Sequence, residues 1–209
     1  KNKKILGLAV GALVTFGCVA EQNNRTAATL IGAGVGAMLG QSMSKDRNKG
    51  AAVGAMVGMV AGNIYAEALE KQEKSLRTDL AGSGALIYNT GEQLIITLPE
   101  GITFDTDSAV IKPQFFSYLN SLARNLINHP STTVDVIGHT DNTGTPDYNL
   151  ELSVLRAEAV TSNLVTLGID GSRIRSHGVG ESYPIGDNST NFGRLQNRRV
   201  EIYIIPVEG

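Results

Sequence analysis

A single cysteine in 209 residues, Cys18, leaves no pair for an intramolecular disulfide. Whatever folds here must stand on its hydrophobic core alone. Only three histidines occur, and neither an H-E-x-x-H run nor a Cys/His cluster is present, so no metal or other cofactor is implied. Aromatics are scarce at 5 %, and no basic stripe carries them. Residues 82–209 hold eight Lys/Arg against fourteen Asp/Glu, a surface that would repel a polyanion and excludes nucleic-acid binding. Nor does any uninterrupted apolar run reach the roughly 20 residues that a membrane-spanning helix needs.

The front of the chain is basic, then apolar. Lys1, Lys3 and Lys4 precede a run from Ile5 to Phe16, which ends on Gly17-Cys18. Residues 1–17 read as a secretory signal peptide, too short for a permanent span. A small residue before a sole cysteine resembles bacterial lipoprotein signals. That resemblance implies a diacylglycerol anchor on Cys18, with acyl chains such as palmitate, and a lipidated spacer over residues 18–25. Val19 rather than Asp implies, by the same likeness, sorting to the outer membrane, with the inner membrane as the alternative. A buried structural cysteine, or a conventional signal ending near one, is the competing reading.

Glycine then recurs every fourth residue. Gly32, Gly36 and Gly40 form one row, and Gly50, Gly54, Gly58 and Gly62 another, separated by the charged turn Lys45–Lys49. In water each glycine weakens a helix by about 1 kcal/mol. Spaced by four, they open a groove in which helix backbones approach closely. The spacing predicts a glycine-zipper helical hairpin over residues 26–66, at or in a membrane, with a soluble self-associating hairpin or a flexible spacer as alternatives. No Asp or Glu lies in the apolar part of either arm, which argues against a proton-carrying motor role.

Residues 67–84 read as a charged helical linker with Leu69, Leu76 and Leu80 on one side, broken by Gly82-Ser83-Gly84. Alternation follows from residue 85 to 209. Ala85–Tyr88 and Gln93–Leu98 flank a hairpin turn at Asn89–Glu92, and an extended segment begins at Thr103. Pro113 opens a helix with Phe115, Leu119, Leu122 and Leu126 at helical spacing, which Pro130 closes. A strand ends near Asp141, and a long helix to Leu167 turns Leu152, Leu155, Ala159 and Leu167 to the core. Arg173–Val179 reads as a strand, 188–196 as an irregular loop, and Val200–Ile205 as the closing strand. This order predicts a two-layer α/β sandwich, a mixed sheet with helices on one face.

The polar constellation sits where the third strand ends. Gly138-His139-Thr140-Asp141 is followed by a Gly/Pro turn, then by a helix carrying Asn149 and Arg156 two turns apart on one face. A carboxylate at a strand end and a guanidinium on the next helix suit a small zwitterion, Asp141 for its ammonium and Arg156 for its carboxylate through a bidentate fork. The competing reading is a structural Asp141–Arg156 ion pair. His139 with Asp141 and His177, or His139 with Ser153, are weak as metal or nucleophile sets, so no enzyme activity is expected.

Gly138–Gly144, Asn149–Ala157 and Gln196–Ile202 together resemble the OmpA-like C-terminal domain, a family that includes Pal and the periplasmic part of MotB. The glycine rows ahead of it are similar to those of the YiaD group of lipoproteins. The resemblance implies a non-catalytic protein of Gram-negative envelopes whose periplasmic domain grips the meso-diaminopimelate of peptidoglycan. By that likeness Asp141 and Arg156 are the ligands. Asn149 and the backbone near Thr140 orient the group, and losing either ligand should leave the fold intact. Asp105 either orders the cleft or merely makes a turn. Of Arg198 and Arg199, one braces the sheet and Arg198 is a candidate ligand contact, while Asn197 shapes a loop. The alternative function is an envelope assembly or scaffold protein that acts through zipper self-association and protein partners.

Overall fold

The structure is a computed structural model that describes residues 65–207. Cys18 and the glycine rows from Gly32 to Gly62 lie outside the described residues, so the lipid anchor and the zipper hairpin are not placed by it. Among the described residues no helix is long and apolar enough to cross a membrane.

Helix α1 (Ala66–Asp79) leads into the hairpin β1 (Leu86–Asn89) and β2 (Leu94–Pro99). Gly91 takes φ +85 at the turn, and its amide donates to Asn89 Oδ1, geometry that glycine adopts without penalty. A one-turn helix α2 (Glu100–Thr103) and a 3₁₀ turn (Pro113–Phe115) precede α3 (Phe116–Asn128). Strand β3 (Thr132–His139), the long helix α4 (Pro146–Thr166), β4 (Ile174–Gly178), the short α5 (Asn191–Asn197) and β5 (Arg199–Pro206) follow.

The five strands form one sheet in the order β1-β2-β5-β3-β4. Only β3 and β4 run parallel, joined through α4 as a crossover unit; the other pairs are antiparallel. Strand β5 is inserted last in sequence but centrally in space, with Ile202 opposite both Ile96 and Val136. The expected mixed sheet with helices on one face is the observed one. Its main core joins Leu94, Ile96, Leu98, Val134, Val136, Val200, Ile202 and Ile204 to the apolar sides of α1, α3 and α4. A smaller cluster of Ile95, Ile137 and Tyr203 lies on the opposite face.

Four expectations change. The segment expected as a linker buries Leu69, Leu76 and Leu80 in the main core, and Gln72 donates to Asn125 of α3 at 3.0 Å. It is a layer of the sandwich because its three leucines share one helical face and find a partner in α3. On α4, Leu155 is exposed; the buried side runs through Asn149, Leu152, Ser153, Arg156, Ala157, Val160 and Leu164. Polar residues occupy part of that side, so apolar periodicity alone misplaces the face. The loop expected at 188–196 contains α5, capped by Thr190, whose hydroxyl accepts from Gly193 N at 3.0 Å. The cap overrides poor helix propensity there. Likewise Glu100–Thr103 is helical, and the extended chain starts only with Phe104, which bridges to Ile111.

Candidate ligand-binding site at the carboxyl end of β3

The site depends on how closely α4 lies on the sheet. Gly138 of β3 and Gly178 of β4 are paired in register, and both face Ser153 of α4. Ser153 is fully buried; its hydroxyl donates to Leu150 O at 2.7 Å and accepts from Gly180 N at 2.9 Å. Thr140 N donates to Gly180 O at 3.0 Å, which fixes the chain as it leaves β3. At the helix start Thr145 caps Tyr148 N, with Pro146 in the first turn where its missing N–H costs nothing.

Asp141 is buried at the turn. Its Oδ1 accepts from Thr143 N at 2.8 Å, and its Oδ2 accepts from Arg198 Nη1 at 2.5 Å. Burial pushes this carboxyl up, but the hydrogen bonds from Arg198 and Thr143 together outweigh it and hold it below the ordinary carboxylate value. Burial likewise lowers Arg198, and its bonds to Asp141 and Glu100 more than reverse that.

Arg156 is 1 % exposed, the largest fully buried side chain described. Its Nε donates to Ser108 O at 2.9 Å, its Nη2 donates to Glu100 Oε1, and its guanidinium carbon lies 5.5 Å from the Phe104 ring centroid. Nη1 has no partner among the described residues, nor has the buried Oγ1 of Thr140. The two expected ligands therefore do not pair with each other. They end a chain of alternating charge that runs Arg156, Glu100, Arg198, Asp141, with Arg198 Nε 2.5 Å from Glu100 Oε2. Two cations and two carboxylates make this chain neutral as a whole.

The remaining expected residues fall at varied distances from it. Asn149 is buried, but its amide is taken by Glu181 Oε2 at 2.6 Å. The Asp105 carboxylate is 81 % exposed and meets Lys112 Nζ at 3.2 Å; only its carbonyl, accepting from Ser108 N at 3.2 Å, shapes the loop that reaches Arg156. Asn197 accepts from the amides of Ile185 and Gly186 and donates to Gly186 O and Asn188 Oδ1, so it shapes the loop as expected. Arg199 is the brace, buried with Nε 2.7 Å from Glu201 Oε1.

His139 alternates onto the opposite face from Gly138 and hence from Ser153, so the two make no nucleophile–base pair. Its Nε2 lies 3.5 Å from Glu201 Oε2, too far for a well-formed hydrogen bond, and burial keeps the imidazole below its ordinary value. Sequence reasoning missed Glu100, Ser108 and Glu181. Glu100 alone left a trace, as an acid directly after an apolar strand.

Residues 103–198 match the OmpA family, and residues 1–69 match the YMGG-like Gly-zipper. The chain is 44 % identical over 139 residues to the probable lipoprotein YiaD of Escherichia coli K12, covering 66 % of this chain and 64 % of that one. It is 41 % identical over 103 residues to the peptidoglycan-binding protein ArfA of Mycobacterium tuberculosis H37Rv, covering 49 % and 32 %. Both matches span less than two thirds of the relative's length. Among solved structures it resembles the cell wall anchor of the T6SS from Pseudomonas aeruginosa, with TM-score 0.58 and 28 % identity over 65 % of this chain and 96 % of that one. The sandwich described above is thus a domain of the OmpA family, carried by a chain whose preceding residues match a YMGG-like Gly-zipper.

Proposed function

We propose that this chain is an envelope lipoprotein that tethers a membrane to peptidoglycan without covalent chemistry, by holding the diaminopimelate of the stem peptide. The observation that carries the reading is Arg156, a guanidinium in the interior with one nitrogen unpartnered at the end of a neutral charge chain. A buried donor without an acceptor is costly, and a ligand carboxylate would relieve it. Asp141, at the other end of the chain, would receive the ligand ammonium, in competition with Arg198. The unpartnered Thr140 hydroxyl offers a further contact, whereas Asn149 acts through Glu181.

Relatives support the ligand class. ArfA is named as peptidoglycan-binding and the Pseudomonas structure as a cell wall anchor. Lipidation at Cys18, outer-membrane anchoring and self-packing of the glycine rows complete the tether and stand on the sequence pattern. The role assigned to the site is binding rather than hydrolysis.

The test is co-sedimentation of the full chain with purified peptidoglycan, beside Asp141→Asn and Arg156→Lys. Charge-assisted hydrogen bonds contribute about 1.5–3 kcal/mol each, so each variant should bind about tenfold or more weakly. Equal sedimentation of all three would favour the scaffold role instead.

A further inference from the structure

We infer that Glu100 is the positioning residue of this site, the group that sets how Arg156 and Arg198 present themselves and hence which ligand charge pattern is accepted. The inference rests on the proposed reading of the site as a cleft for a zwitterionic residue. Glu100 opens α2 directly after β2, and its backbone amide donates to Arg198 O at 3.0 Å, so its main chain is anchored to the start of β5. It is 5 % exposed. Both of its carboxylate oxygens are used, Oε1 by Arg156 Nη2 and Oε2 by Arg198 Nε.

This occupancy has two consequences. On Arg156, Nη2 is engaged by Glu100 and Nε by Ser108 O, which leaves Nη1 as the nitrogen without a partner for a ligand oxygen. Arg198, held by its Nε and 22 % exposed at its side chain, is delivered with Nη1 on Asp141. Without Glu100 the remaining three groups carry a surplus positive charge, which favours any anion over a zwitterion. With it the site is neutral and complementary to a ligand carrying one charge of each sign. Glutamine is nearly the same size, yet its NH₂ would face one of the arginine N–H groups, donor against donor, and must release that arginine.

The experiment compares the full chain with Glu100→Gln and with Glu100→Asp, which keeps the charge but is too short to span both arginines. Binding is measured to two purified muropeptides that differ only at the third residue, diaminopimelate or lysine, the latter lacking the side-chain carboxylate. Side-chain N–H exchange of Arg156 and Arg198 is followed by NMR in the same samples. The expected result is a preference for the diaminopimelate form of about tenfold or more in the native chain, and binding of that form about tenfold or more weaker in both variants. Side-chain N–H exchange should accelerate by about tenfold at whichever of Arg156 and Arg198 the variant releases, without a matching rise in global unfolding. Unchanged affinity for the diaminopimelate form in variants that remain folded would overturn the inference, as would unchanged exchange at both arginines. If the native chain binds neither muropeptide, the tether reading fails, and the exchange rates of the two arginines still decide whether Glu100 positions them.

Discussion

A Cβ atom added to Gly138 would lie 1.9 Å from the carbonyl oxygen of Ser153, and one added to Gly178 would lie 2.2 Å from the Ser153 hydroxyl oxygen. Two facing glycines on adjacent parallel strands thus let α4 sit against the sheet at backbone distance. That seating is what carries Arg156, one turn beyond Ser153, to Glu100.

Gly138→Ala should therefore destabilise the domain by about 1–3 kcal/mol or more, because the obstructing atom is backbone and α4 must shift as a body. Urea unfolding measures the loss. A stability unchanged within about 0.5 kcal/mol would show that α4 is not held as described.

From the sequence, losing either ligand residue is expected to leave the fold intact, and the structure separates the two cases. Arg156→Ala leaves Glu100 buried without one of its two cations, and breaking a buried pair in this way costs about 3–5 kcal/mol. Asp141→Asn leaves Arg198 still bonded to Glu100 and partly exposed, and should cost less than half as much. Thermal unfolding of the two variants side by side tests the order; equal melting temperatures would contradict it.

Removing α1 should be severe. Leu69, Leu76 and Leu80 are each at most 5 % exposed, and burying a leucine contributes about 1.5–3 kcal/mol. A fragment beginning at Gly82 should lose on the order of 5 kcal/mol relative to one beginning at Tyr65, a large share of an ordinary domain's stability. Circular dichroism melts of the two fragments check this, and coincident curves would return α1 to the role of a linker.

Acid should weaken the fold in two steps. Burial holds His139 below its ordinary value in the folded state, so on acidification the unfolded chain takes up that proton first, from about pH 6.5 downward. Stability that is full at neutral pH is then lost as pH falls, by up to about 1.4 kcal/mol per pH unit for this group. At Glu201 burial raises the carboxyl, but His139, Arg199 and Tyr203 outweigh it and hold it far down, so its contribution is lost only in stronger acid. Urea midpoints at pH 7.5 and 5.5 should differ less in His139→Asn than in the native chain. His177, also lowered by burial, leaves a residual slope. An identical pH dependence would remove His139 from the account.

Local physics made much of this protein legible as a string of residues. Alternation in Leu94–Leu98 and Val200–Ile205, Pro113 at a helix start and Gly168 at a helix end each record a requirement of their own neighbourhood, and they fall where expected. The motif run from Gly138 to Arg156 likewise pointed to the end of β3, where Asp141 and Arg156 do terminate one charge chain. The partners of those two residues were not legible. Glu100 and Arg198 are 98 positions apart and meet because β5, last in sequence, inserts beside β2 and β3. Leu155 and Arg156 exchanged their expected environments because a paired guanidinium tolerates burial that its type alone forbids, and the Leu69 face became core only once α3 lay against it. Elements and their order follow from periodicity within the chain, whereas ion pairing and the burial of polar groups follow from which distant segments the sheet brings together.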